Sequence, residues 1–169
     1  FHTRVASTSH EGLFVHQYGG SEISVAVGDA SIALHEDSDY PWSGRIAFTV
    51  TAATGALPVH LRIPGWARGA TLAVNGEPVA VTAPSTYAPI EREWAAGDEI
   101  VPDLPMPTRL VRGHRLAAEL PGQVAVQRGP VVHPVASLDP PPGAPLRQLS
   151  PPPGSGRAPR PATREGPRA

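Results

Sequence analysis

The chain has 169 residues, with 14 Lys and Arg against 15 Asp and Glu, a formal net charge of −1 and a pI near 6.7. That balance gives no electrostatic reason to hold a polyanion, so nucleic acid and anionic membrane are disfavoured as partners. With no cysteine the chain forms no disulfide and offers neither a thiol nucleophile nor a thiolate metal ligand, and its 22 prolines and 17 glycines favour strands and turns over helices. Residues 1–10 show no period and read as the end of an upstream element followed by a loop. From Leu13 the side chains alternate. Leu13 and Val15 share one face; Phe14, His16 and Tyr18 share the other. Ile23, Val25 and Val27 continue the pattern, and Ile32 and Leu34 resume it after a Gly28-Asp29 turn. Ile46, Phe48 and Val50 follow, then Val59, Leu61 and Ile63. Period two buries one face and wets the other, which predicts antiparallel strands.

The separators carry turn chemistry. Tyr40-Pro41-Trp42-Ser43-Gly44 and Ala53-Thr54-Gly55 both end in glycine, and Pro64-Gly65 ends a strand because proline donates no ladder hydrogen bond. Asn75-Gly76, flanked by Leu72, Val74, Val79 and Val81, predicts a two-residue type I′ hairpin. Ala96-Gly97-Asp98 reads as a second hairpin, between strands at 90–94 and 100–104. Strand-like segments at 124–127 and 131–135 close the series, with at most one helical turn at 116–120. The fold class expected is all-β: an antiparallel β-sandwich built as one or two small stacked units, dividing near residues 66–69. The domain plan is 1–10 as an upstream remnant, 11–66 as a first β unit, 67–138 as a second, and 139–169 as a tail. The tail is rich in proline and arginine and has no aromatic residue, so it reads as a disordered, polyproline-leaning segment. Its monotony also resembles the product of a shifted reading frame. The chain starts at Phe1 rather than methionine, which reads as processing, truncation or a piece of a longer frame.

Several phrases stand in fixed order: Leu61-Arg62-Ile63-Pro64-Gly65-Trp66, Val74-Asn75-Gly76-Glu77-Pro78, Leu104-Pro105-Met106-Pro107 and Gln127-Arg128-Gly129-Pro130. Together with Leu13-Phe14-Val15-His16-Gln17-Tyr18 and Asp39-Tyr40-Pro41-Trp42-Ser43-Gly44, they resemble the C-terminal region of glycoside hydrolase family 127, the β-L-arabinofuranosidase-like proteins. The resemblance covers about residues 1–138; His133 stands where the family usually has an aromatic, and the tail matches nothing in it. It implies a parent retaining hydrolase whose (α/α)6 barrel carries a cysteine nucleophile, a glutamate acid/base and a zinc ion held by cysteines and glutamate. All of these lie upstream of the strand matched by Leu13, so residues 1–10 would be the last remnant of that barrel. No catalytic position and no metal ligand can be carried over to a chain without cysteine, so the chain alone is expected to be inactive and free of cofactor. The implied partners are the upstream barrel and, in some members, a second copy. Cellular location is left open, leaning to the cytoplasm.

Three functional expectations follow. The first is a non-catalytic β-sandwich scaffold packed on the barrel. The second is a free-standing carbohydrate-binding module in which Trp42 and Trp66, each beside a turn, stack on sugar rings; the plainer role of these tryptophans, and of Trp94, Tyr18, Tyr40 and Tyr87, is packing. The third is an independent hydrolase using a carboxylate pair, from Glu91 and Glu93 on one strand face or from Glu36, Asp37 and Asp39 in a loop. Solvated carboxylates account for both groups equally well, and the acidic loop lacks the spacing of a calcium loop. No two histidines stand at HxH or HExxH spacing, and no G-x-S-x-G elbow is present.

Overall fold

The structure, a computed structural model, describes residues 5–81, 83–112 and 124–133. The expected helical turn at 116–120, the first four residues and the tail at 139–169 lie outside the described residues. Thirteen strands follow in chain order. They are β1 (Ala6–Ser9), β2 (Gly12–Val15), β3 (Ser21–Val27), β4 (Ala30–Ser38), β5 (Ile46–Thr54), β6 (Val59–Ile63), β7 (Thr71–Val74), β8 (Glu77–Val79), β9 (Thr86–Ile90), β10 (Glu99–Asp103), β11 (Thr108–Arg112), β12 (Val124–Arg128) and β13 (Val131–His133). The described residues contain no helix. The chain divides into two compact units between Met106 and Pro107.

The first unit is a sandwich of two sheets. One is four-stranded, in the order β1-β2-β6-β9, and the other six-stranded, in the order β3-β4-β5-β10-β7-β8. Each strand gives alternate side chains to a shared core. Leu13, Val15, Val59, Leu61, Ile63 and Ile90 come from the smaller sheet; Ile32, Leu34, Ile46, Phe48, Val50 and Ile100 come from the larger. The expected alternation is therefore the physical basis of the core. Pairing is antiparallel except between β2 and β6, which run parallel with Leu13 beside Val59 and Val15 beside Leu61. The second unit is an antiparallel three-stranded sheet, β11-β12-β13.

The Asn75-Gly76 hairpin is present as expected. Both residues have positive φ, +52° and +81°, and they connect Val74 to its partner Glu77. Asn75 also ties the turn to β10. Its amide donates to Asp98 Oδ1 at 2.8 Å and its carbonyl accepts the Glu99 N–H at 2.8 Å. Gly44 answers a different need. A Cβ there would lie 1.9 Å from the Leu104 carbonyl oxygen, so only glycine lets the end of β10 close on this turn. The Leu104 N–H donates to the Gly44 carbonyl at 2.9 Å.

Four local expectations are corrected. Residues 6–9, read as loop, form the edge strand β1, whose polar side chains gave no apolar period. Tyr18 is buried rather than sharing the outer face with Phe14 and His16, because β2 ends at Val15 and the strand phase lapses beyond it. The Ala96-Gly97-Asp98 turn does not close a hairpin; it carries the chain from β9 in one sheet to β10 in the other. The expected break near residues 66–69 is only a turn: β10 lies between β5 and β7, so residues on both sides of that point share one sheet.

Candidate functional site

Of the expected sugar-contact residues, Trp42 lies in the turn that carries Tyr40, and Trp66 stacks on Tyr40. Residues 39–43 form a tight turn after β4, in which the Trp42 and Ser43 N–H groups both donate to the Asp39 carbonyl, at 2.8 and 3.2 Å. The Tyr40-Pro41 peptide is cis. Trp42 is 66% exposed at this turn. Trp66 is half-buried, and its ring stacks on Tyr40 with centroids 6.4 Å apart and planes 23° apart. Tyr40 meets Tyr18 edge-on at 5.9 Å, and Tyr18 leans on Phe48 at 6.2 Å. The aromatic series thus runs from the core outward to Trp66. Trp94, in contrast, is buried, and its indole N–H donates to the Leu57 carbonyl at 2.8 Å.

Burial and the nearby Glu36 charge push the Tyr18 phenol well above its ordinary range. Its hydroxyl donates to the Arg62 carbonyl at 2.6 Å. Burial also raises Tyr40, against the opposing pull of the Arg62 charge.

The carboxylate groups separate. Glu36 and Asp37 are not in a loop but on β4, on opposite faces; only Asp39 lies in the turn. Glu36 takes the inward phase set by Ile32 and Leu34. It is buried and accepts the Gly19 N–H and the Ser21 hydroxyl, each at 2.7 Å. A carboxylate fixed by both oxygens to local donors is a structural staple. Glu91 and Glu93 lie beyond the end of β9 and are exposed, so the strand that was to align them is absent. Glu91 borders an open depression of about 490 Å³ with Asn75, Glu77, Val79 and Arg92. Among the described residues, no three His, Asp or Glu side chains gather in a way that could hold a metal ion.

A cluster that sequence reasoning did not single out covers the outer face of the four-stranded sheet. The register places Ser7 opposite Phe14, Phe14 beside His60, and Arg62 opposite Tyr87. Phe14 and His60 stack at 4.1 Å with planes 3° apart, and Tyr87 meets Phe14 edge-on at 5.4 Å. His16 is held at both ring nitrogens, by Ser7 Oγ at 2.7 Å and by the Tyr87 hydroxyl at 2.7 Å. Arg62 Nη1 donates to the His16 carbonyl at 3.3 Å, and His60 Nε2 lies 3.0 Å from the Glu11 carbonyl. Ser7 and His16 thus have the contact of a nucleophile and base. Ser7 is exposed on an open sheet, however, without the water exclusion that strengthens electrostatics in a reactive site. The alternation of Phe14 with His16 and of His60 with Arg62 was legible; the parallel pairing that assembles them was not.

Comparison with known proteins agrees with this architecture. Residues 12–106 match the family model described as Beta-L-arabinofuranosidase, GH127 middle domain. A non-reducing end beta-L-arabinofuranosidase of Bifidobacterium longum subsp. longum is 34% identical over 133 residues, covering 75% of this chain and 20% of that protein. A GH127 beta-L-arabinofuranosidase from Geobacillus stearothermophilus T6 superposes with a TM-score of 0.69 at 37% identity, covering 76% of this chain and 21% of its own. A second solved GH127 beta-arabinofuranosidase gives 0.70 at 28% identity, covering 76% and 23%. The chain therefore spans about a fifth of the length of these relatives. The match over β2 to β10, which is the sandwich of the first unit, shows that this chain belongs to the GH127 β-L-arabinofuranosidase family and carries its middle domain.

Proposed function

We propose that the chain is the non-catalytic β-sandwich portion of an enzyme that hydrolyses β-L-arabinofuranosides, serving as a scaffold for an (α/α)6 catalytic barrel supplied from outside these residues. The observation that carries this reading is the match of residues 12–106 to the family's middle domain, by a chain that covers only 20% of its curated relative. The chemistry agrees. A cysteine nucleophile and a cysteine-bound zinc cannot come from a chain without cysteine, and Glu36, the one buried carboxylate among the described residues, is committed to Gly19 and Ser21. The test is hydrolysis of an aryl β-L-arabinofuranoside. The chain alone should show none, and the polypeptide that includes the barrel should show it. Turnover by the chain alone that is lost in Glu91→Gln or Glu93→Gln would replace this reading with the independent hydrolase.

A second reading, carbohydrate binding, is favoured by one observation: the 66% exposure of Trp42, in the same turn as the Tyr40 that stacks on Trp66. Arabinose-containing glycans at millimolar concentration should then change the tryptophan fluorescence, and Trp42→Ala or Trp66→Ala should abolish the change. A flat titration of the unsubstituted chain removes this reading.

A further inference from the structure

We propose that Asn75 is a site of spontaneous deamidation held in check by its bonds to β10, so that its conversion records the time the β7–β8 turn spends detached from that strand. The proposal does not depend on the scaffold role.

Asn75 is the only asparagine in the chain, and glycine follows it. The reaction at such a pair needs water and no enzyme. The Gly76 backbone nitrogen gives up its proton to solvent and attacks the carbonyl carbon of the Asn75 side chain. A C–N bond forms there, the bond to Nδ2 breaks, and Nδ2 takes up a proton and leaves as ammonia. Water then opens the cyclic imide at either carbonyl, giving aspartate or isoaspartate. The sum is amide plus water to carboxylate plus ammonium, with no change of oxidation state. Gly76 has no side chain to obstruct the approach. Both residues are exposed, and a Cβ placed on Gly76 would meet nothing within 4 Å, so solvent reaches the turn.

The folded turn opposes the attack. Nδ2 donates to Asp98 Oδ1 at 2.8 Å, and the side-chain carbonyl accepts the Glu99 N–H at 2.8 Å. The Asn75 N–H donates to the Glu99 carbonyl at 2.9 Å. Asp98 is itself fixed, since its Oδ2 accepts the Ala95 N–H at 2.9 Å and faces Arg92 Nη2 at 3.6 Å. The Asn75 amide is therefore held at both ends, and its carbon cannot swing onto the Gly76 nitrogen until those bonds break. Such an opening is local: β8 has three residues, lies at the sheet edge and pairs with β7 alone. The product does not return to the clamp. An aspartate has no N–H for Asp98 and sets a second carboxylate against it. An isoaspartate lengthens the main chain within the turn that joins Val74 to Glu77.

The experiment incubates the full-length polypeptide that carries this chain in mildly alkaline buffer. The peptide containing residue 75 is then resolved into its asparagine, aspartate and isoaspartate forms by chromatography and mass spectrometry. Conversion should be slow in the native protein and many-fold faster in urea. Asp98→Ala, folded by circular dichroism, should convert about tenfold faster than the parent under native conditions, as loss of one hydrogen bond to a charged group makes opening that much more frequent. Asp98→Asn reads the same effect, in the same direction, if the alanine variant does not fold. Separately, Asn75→Asp should melt below the parent, and adding Asp98→Asn should recover part of the loss, because an amide then faces the new carboxylate. No conversion in urea overturns the proposal, as do equal rates in urea and in native buffer. Native conversion no faster in the Asp98 variants than in the parent also overturns it, since the clamp would then protect nothing.

Discussion

A buried carboxylate destabilises a fold unless donors meet its oxygens, and Glu36 satisfies this through one backbone N–H and one hydroxyl within the segment leading into β3. Replacing it with alanine strands both donors. Glu36→Ala should lower stability by about 2–4 kcal/mol in urea denaturation at neutral pH, with Glu36→Gln losing less because its amide oxygen keeps one acceptor. An alanine variant as stable as the parent would show that residues 19–21 find other partners. Tyr18 gives the alkaline counterpart. Its folded phenol stays protonated above the ordinary value of 10.0 while the unfolded phenol ionises. Its contribution is therefore complete below pH 10 and declines as the pH rises further. Tyr18→Phe should cost about 1 kcal/mol at pH 7, from the lost bond to the Arg62 carbonyl, and should flatten the fall in stability above pH 10. Melts of both proteins across pH 7–11 check this; parallel curves would disprove the assignment. The Glu36 role was not legible in sequence. Its phase on β4 follows from Ile32 and Leu34, but a glutamate after such a run reads as the start of a loop until the donors at Gly19 and Ser21 are seen beside it.

At the scale of elements, the hairpin between β7 and β8 was the most readable feature, because Asn-Gly in that setting leaves few alternatives. The structure adds why asparagine in particular stands there. Asn75→Gly keeps the backbone conformation but loses the bonds to Asp98 and Glu99; Asn75→Ala loses the bonds and also pays for positive φ. Alanine should therefore cost about 2–3 kcal/mol and glycine about 1–2. Denaturant midpoints for the pair separate the two contributions, and equal losses would mean that backbone conformation contributes nothing. Asp98 is held below its ordinary range, first by the Ala95 N–H and then by the Asn75 amide, so both variants should also soften the stability lost on acidification below pH 4. The neighbouring Ala96-Gly97-Asp98 turn was misread because local sequence marks a reversal of direction without saying which sheet receives the next strand.

On the scale of the whole chain, individual strands were legible and their grouping was not. The boundary placed near residue 66 divided a sheet, since β10 is inserted between β5 and β7. A chain ending at Met106 retains every strand of the first unit and should melt cooperatively by itself. One ending at Trp66 loses β7 to β10, exposes the β5 edge and Phe48, and should fail to fold. Circular dichroism melts of the two truncations decide the matter; a cooperative transition in the shorter one would restore the earlier boundary.

The parallel contact between β2 and β6 also sets an order of events in time. Between Val15 and Val59 the chain must first travel through β3, β4 and β5, whose own connections are short. Closing the long loop before those strands exist costs entropy with little return, while the meander forms from near neighbours. The β2–β6 pair is therefore expected to form after the β3–β4–β5 meander, which offers it a surface to settle on. Substitutions of Ile32 or Leu34 should slow refolding, whereas Val59→Ala should chiefly speed unfolding, a kinetic division that stopped-flow fluorescence can read. A nascent chain that pauses before β6 would hold half a sandwich, with Leu34, Phe48 and Val50 still uncovered.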